Sequence, residues 1–182
     1  FGPRAADYAV SQVHVTDQSL EIIRGLVGAA SSPSQWAIDL GSGAGFNAFN
    51  MAQLDYQTVA TDPAGPMLRE ARRIGDERGL SNLALCQTAA ESLPFASSSL
   101  DVVASRIAAH PFEDYQAVIS EAHRVLKSGG FLLFAESIAP EDDSVRDWME
   151  NIELRRDHSH IENRKASAIE ALVAERGLDM ID

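Results

Sequence analysis

Residues 37–45 read Ala37-Ile38-Asp39-Leu40-Gly41-Ser42-Gly43-Ala44-Gly45, and the order of residue types here sets the architecture. An apolar run enters three closely spaced glycines, and a helical pattern begins behind them at Phe46. Glycine lets a backbone turn tightly and come close to a ligand where a Cβ would collide. The helix start that follows presents free backbone N–H groups. Dinucleotide enzymes space such a loop G-x-G-x-x-G and set a pyrophosphate on the helix N-terminus. Here the third glycine comes one residue early, and Phe46 stands at the dinucleotide position. That spacing favours a ligand without pyrophosphate.

On either side of the loop the pattern alternates. Short apolar runs fall at Trp36–Leu40, Thr58–Thr61, Leu83–Cys86, Leu100–Ser105 and Phe131–Ala135. Charge is confined to their ends, as in strands buried on both faces. Helical patterns lie between them. Phe46 to Leu54 is the first, and Pro66 to Arg78 the second, with Pro66 in its first turn and Gly79 as its stop. Phe112 to Lys127 is the clearest. Its Tyr115, Val118, Ile119, Ala122, Val125 and Leu126 form one apolar stripe, ended by Gly129-Gly130. Upstream, Thr16 or Asp17 caps a helix carrying Leu20, Ile23, Leu26 and Val27 at helical spacing, which Ser31-Ser32-Pro33-Ser34 breaks. Strand–helix alternation of this kind predicts right-handed crossovers and an α/β fold: a doubly wound, Rossmann-like parallel sheet with helices on both faces. After Pro140 a charged helix places Val145, Trp148, Met149, Ile152 and Leu154 roughly on one side, and a second helix covers about 166–176. Leu178-Asp179-Met180-Ile181 reads as the opening of a further strand, so the C-terminal strands of such a sheet are expected to be missing.

A chain of 182 residues with 45% hydrophobic content buries one good core. The expectation is a single domain over 1–182: an N-terminal helical lid (1–30), a cofactor-binding core (36–137) and C-terminal helices (140–177). The formal net charge of -12 repels phosphate backbones, so no nucleic-acid partner is expected. Arg69, Arg72, Arg73 and Arg78 recur at helical spacing among acids and read as a solvated helix face. Cys86 is the only cysteine, which excludes an internal disulfide and a cysteine-based zinc site. No apolar run approaches the ~20 residues of a membrane span. No signal peptide opens the chain, and a cytoplasmic setting is expected.

Asp62 closes the second strand, after Thr58-Val59-Ala60-Thr61. A carboxylate there can accept both hydroxyls of a ribose lying across the strand tips, and can also cap the following helix. With this residue in place a resemblance emerges. Asp39-Leu40-Gly41-Ser42-Gly43-Ala44-Gly45 resembles the first motif of the class I S-adenosylmethionine methyltransferases. Ala60-Thr61-Asp62-Pro63 with Met67-Leu68 is similar to their ribose-binding strand end and next helix. Ala90-Glu91-Ser92-Leu93-Pro94-Phe95 and Leu100-Asp101-Val102-Val103 resemble the segment flanking the adenine. Arg124-Val125-Leu126-Lys127-Ser128-Gly129-Gly130 is similar to their turn into the fifth strand. Together the four motifs resemble the methyltransferase type 11 domain, and within it the ubiquinone/menaquinone biosynthesis methyltransferases. The likeness is strong over roughly 36–137 and weak elsewhere.

The resemblance implies S-adenosylmethionine as cofactor and a small-molecule acceptor. It implies Gly41, Gly43 and Gly45, with Asp39 before them, beneath the methionine part and sugar. It implies Asp62 on the ribose, Pro63 and Met67 flanking the adenine, Ala90 and Glu91 at the adenine edge, and Ser105 near the methionine end. Two departures stand out. Ala89 stands where many relatives carry an aspartate, and Ser128 replaces a frequent proline.

Methyl transfer from a sulfonium needs a general base only for a poorly acidic acceptor. His110, just past the fourth strand, is the candidate base; before Pro111 it also fits a simple turn. Tyr8 and His14 are candidate lid residues, the segment before Asp17 being expected to fold over the cofactor. His158 and His160, two apart, do not share a helix face, and with no third ligand no metal is expected. His123 reads as structural. Two other readings stay open: a nicotinamide-dependent reductase on the same fold, and a non-catalytic cofactor-binding protein. An RNA or protein methyltransferase is a third, disfavoured for RNA by the acidic charge.

Overall fold

The computed structural model describes residues 18–28, 31–108, 112–156 and 160–181. Within them β1 (Trp36–Leu40), β2 (Gln57–Thr61), β3 (Leu83–Cys86), β4 (Leu100–Arg106) and β5 (Leu126–Ala135) form one sheet in the order β3-β2-β1-β4-β5. Every neighbouring pair is parallel. The chain winds outward from β1 to β3 and then returns to place β4 on the other side of β1. That reversal leaves a crevice between the C-terminal ends of β1 and β4, where open α/β sheets bind ligands.

The helices are α1 (Gln18–Gly28), α2 (Phe46–Gln53), α3 (Gly65–Glu77), α4 (Tyr115–Val125), α5 (Asp143–Arg156) and α6 (Ala166–Glu175). Side-chain alternation along the strands assigns them to faces. Ile38, Leu40, Val59 and Val103 point to one face and pack with Val118, Ala122 and Val125 of α4. Their neighbours Ala37, Val102 and Ala104 point to the other and meet Ile23 and Val27 of α1 and Met51 of α2. On that same side Phe49 of α2 joins Ala71 and Ile74 of α3 over Ala60 and Leu83. The central strands β1, β2 and β4 are thus covered on both sides, which is why they are mostly apolar, whereas the edge strand β5 is largely half-buried.

Several local expectations are corrected. The clearest helix starts at Tyr115, not Phe112, because the Asp114 carboxylate accepts from Ala117 N at 3.0 Å and caps it there. It also stops at Val125, short of Lys127. Leu126 is already extended and pairs with Leu100 of β4, so sheet pairing overrides a residue that would suit a helix. Leu26 is 55% exposed, leaving Ile23 and Val27 to bury α1. No residue of α5 is buried, and of its expected apolar side Val145, Trp148, Ile152 and Leu154 are exposed and Met149 is half-buried. Leu178–Ile181 forms no strand: Leu178 packs near Val173 and Tyr115, whereas Met180 and Ile181 are exposed. Arg78 is not merely solvated. Its guanidinium lies 4.9 Å from the Phe49 ring centroid, a cation–π contact closing the α2–α3 layer.

Candidate functional site

The crevice opens into a cavity of about 640 Å³, within the roughly 300–1,000 Å³ typical of small-molecule sites. Its lining comes from the glycine loop, the turns after β2 and β4, residues 89–91 and the approach to α4.

Alternation sets Asp39 opposite to Ile38 and Leu40, on the α2 side of β1. There its carboxylate accepts from Ser42 Oγ at 2.5 Å, Asn47 Nδ2 at 2.7 Å and Ala48 N at 3.2 Å. Asp39 therefore fastens the glycine loop to the first turn of α2. It is 1% exposed, and burial pushes its pKa up to about 6 against these hydrogen bonds and the nearby Arg106 guanidinium.

The loop needs glycine for two different reasons. Gly41 has φ +60°, and a Cβ there would lie 2.7 Å from Ala108 Cβ, because the turn after β4 closes directly upon it. Gly45 has φ +93°, and its Cβ would lie 2.7 Å from Phe49 Cζ and 3.0 Å from Ala71 Cβ. The first glycine admits the neighbouring wall of the cavity; the last admits the core beneath.

Asp62, immediately after β2, reaches across to the same loop. Gly43 N donates to its Oδ2 at 2.9 Å and Ala64 N to its Oδ1 at 2.7 Å. Burial raises its pKa, and the two backbone donors oppose the rise. Each carboxylate oxygen carries a second lone pair, so both can still accept from hydroxyls of a ligand in the cavity that Asp62 lines.

Of the residues singled out in the sequence, Asp39, Gly41, Gly43, Asp62, Pro63, Met67, Ala90 and Glu91 line this one cavity. Gly45 lies beneath it. Ser105 is fully buried and not part of the lining; its hydroxyl donates to Glu136 Oε1 at 2.7 Å. Tyr8, His14, His110 and His158 fall outside the described residues. His160 pairs with Glu150 Oε2 at 2.7 Å, away from the cavity lining, and His123 is exposed on α4. No cluster of three or more metal-ligating side chains occurs among the described residues. Nor is any described helix long and apolar enough to cross a membrane.

Sequence reading missed Asn47, Arg106, Phe112 and Glu136. Arg106 is the last residue of β4, a strand-end position of the kind that singled out Asp62, so a signal was available for it; Glu136, just after β5, is tied to its partners only by the fold. Arg106 lines the cavity and donates from Nε to Ser19 Oγ at 2.8 Å, which brings the start of α1 to the site. Asn47 Oδ1 is buried with no donor among the described residues, on a residue that lines the cavity. An unmatched acceptor there suits an ammonium or hydroxyl of a ligand. Among the described residues the lining carries Asp39, Asp62, Glu91, Glu113 and Asp114 against Arg106 alone. That acidic excess attracts a cationic ligand and repels pyrophosphate.

A doubly wound sheet with a glycine turn after β1, a carboxylate after β2 and a cavity across their tips defines a nucleoside-binding α/β domain. Known proteins narrow the class. The family described as Methyltransferase domain matches residues 38–134, and the chain belongs to it. The chain is 33% identical over 135 residues to the uncharacterized methyltransferase YcgJ of Bacillus subtilis, covering 74% of this chain and 53% of YcgJ. It is 37% identical over 131 residues to the uncharacterized protein YafE of Escherichia coli, covering 71% and 63%. The crystal structure of Bacillus subtilis YcgJ superposes with a TM-score of 0.82 at 30% identity, over 87% of this chain and 67% of that one. The chain thus spans between half and two-thirds of the length of these two curated relatives. Enzymes of the family are S-adenosylmethionine-dependent methyltransferases, and the acidic cavity with its unmatched Asn47 acceptor fits that cationic cofactor. Neither the reductase reading nor the non-catalytic one is favoured by these likenesses.

Proposed function

We propose that this protein transfers a methyl group from S-adenosylmethionine to a small-molecule acceptor in the cytoplasm. The observation that carries the reading is the acid-lined cavity in which the glycine loop and Asp62 meet. When bound, the cofactor supplies a methyl group on a sulfonium, transferred by in-line displacement. The protein's part is positioning, which contributes roughly 7–11 kcal/mol in well-oriented reactions.

In this reading Asp62 accepts the ribose hydroxyls, and Gly41 and Gly43 let the backbone pass close beneath the ligand. Pro63 and Met67 flank the adenine. Ala90 and Glu91 meet its edge, where Ala89 offers no carboxylate. Glu91 Oε1 also accepts from Glu113 N at 3.2 Å, which joins this edge to the approach of α4. His110 is assigned as a general base for acceptors that need one, since Ala108, two residues earlier, lines the cavity. The residues before Asp17 are assigned as a lid bearing Tyr8 and His14, while α1 behind them packs on the sheet through Ile23 and Val27. The Ser19–Arg106 bond supports this, because it sets the chain's entry into α1 beside the cavity. The acidic charge and the family support a small metabolite over nucleic acid. Incubation with methyl-labelled S-adenosylmethionine and fractionated metabolite pools tests the proposal. Label should enter a small product; label entering RNA or protein instead would overturn it.

A further inference from the structure

The turn after β4 is built against its own backbone preference. Ile107 has φ +52°, a conformation that a β-branched side chain rarely adopts. Such strain persists only where the surroundings hold it, and it gathers at ligand sites. Ile107 and Ala108 both line the cavity, and Ala108 is the residue against which Gly41 must lack a Cβ.

The structure shows what holds this turn. Ile107 N donates to Ala135 O at 2.9 Å, extending the β4–β5 ladder by one bond. The next residue of β5's strand end, Glu136, then bridges the turn with both carboxylate oxygens. Oε1 accepts from Ser105 Oγ at 2.7 Å, and Oε2 accepts from Ala108 N at 2.9 Å. One side chain therefore grips the residues on either side of Arg106 and Ile107. Two oxygens taking two donors fix the turn in translation and rotation together, as one bond would not.

We propose that Glu136 is a positioning residue, which sets the Ile107–Ala108 wall against the glycine loop and so shapes the cavity where cofactor and acceptor meet. The proposal rests on the methyltransferase reading above. It also explains the buried Ser105 hydroxyl, which donates to Glu136 and does not line the cavity. The carboxylate acts through Ala108 and Gly41 and touches no reacting atom in this role.

Two substitutions separate geometry from charge. Glu136→Gln keeps the shape: its carbonyl oxygen accepts from Ala108 N, and its amide donates to Ser105 Oγ, which can reverse its role. Glu136→Ala removes both bonds. The readouts are hydrogen exchange at the Ala108 amide in the free protein, equilibrium binding of S-adenosylhomocysteine, and thermal melting. Glu136→Ala should speed Ala108 exchange about tenfold or more, as expected when a local tie opens. It should also weaken S-adenosylhomocysteine by a larger factor than its change in melting temperature explains. Glu136→Gln should restore both to within about twofold of the unaltered protein, because the tie survives without the charge. Unchanged exchange and affinity in Glu136→Ala overturn the positioning role. So does a Glu136→Gln protein that melts normally yet binds as poorly as Glu136→Ala, since that marks the charge as the active feature. Failure of the unaltered protein to bind S-adenosylhomocysteine at all overturns the methyltransferase reading itself, and is told apart by the exchange data.

Discussion

Replacing Asp62 with asparagine is the most informative single change, because both partners seen at its carboxylate are donors. Gly43 N and Ala64 N approach at 2.9 and 2.7 Å, one to each oxygen. An asparagine keeps the volume but offers one acceptor and one amide donor. Whichever way it turns, its NH2 faces a backbone N–H. One hydrogen bond to a charged group is lost, worth about 1.5–3 kcal/mol, and the survivor becomes an ordinary neutral one. The loss falls on the Gly43 side if the amide flips one way and on the Ala64 start of α3 if it flips the other. In both cases the loop and the ribose-accepting oxygens are disturbed together. Affinity for S-adenosylhomocysteine should therefore fall roughly 10- to 150-fold in Asp62→Asn, the range that 1.5–3 kcal/mol corresponds to. Asp62→Ala should fall at least as far. Isothermal titration reads the affinity, and circular dichroism confirms that α3 persists. Full affinity in Asp62→Asn would show that the carboxylate neither holds the loop nor meets the ligand.

Three further outcomes are expected. Asp39 has its pKa raised from 3.8 to about 6 in the folded protein, a preference for its proton equivalent to about 3 kcal/mol. Folded Asp39 keeps that proton where the unfolded carboxyl has released it, so stability relative to Asp39→Asn should fall as pH rises from about 4 to about 6 and then level; urea unfolding at several pH values that gave a constant difference would contradict the burial. Gly45→Ala should destabilise by about 2–5 kcal/mol, combining a left-handed backbone with overpacking against Phe49 and Ala71; a melting temperature equal to that of the unaltered protein would mean the α2–α3 layer yields easily. His110→Ala should leave S-adenosylhomocysteine affinity within about threefold while lowering turnover about 10²-fold or more for an acceptor that needs deprotonation, and equal turnover would remove His110 as the base.

The parallel sheet was legible because its central strands β1, β2 and β4 are buried on both faces and the helices between are punctuated by Pro66, Gly79 and the three loop glycines. Trp36–Leu40 and Leu83–Cys86 are expected and observed with the same bounds. What resisted reading was set by partners far along the chain. Leu126 fits the apolar stripe of α4, yet its pairing with Leu100 makes it the first residue of β5. Leu26 shares the spacing of Ile23 and Val27 but meets no second layer. The candidate site divides the same way. Residues clustered in sequence around the loop and Asp62 were readable from their places at strand ends. Glu136 was not, because its partners Ser105 and Ala108 lie 31 and 28 residues away and meet it only once β4 and β5 are side by side. The double use of Asp62 by Gly43 and Ala64 was hidden for a similar reason: a carboxylate after a strand announces a ligand or a cap, and here the fold has it grip the glycine loop as well.

The most direct test titrates the unaltered protein in parallel with S-adenosylhomocysteine and NADH. The acid-lined cavity and the early third glycine predict saturable binding of one S-adenosylhomocysteine per chain, at least about tenfold tighter than NADH, a difference of about 1.4 kcal/mol or more. Equal or tighter binding of NADH, or no heat of binding with S-adenosylhomocysteine, would contradict the assignment of this cavity to a methyl donor.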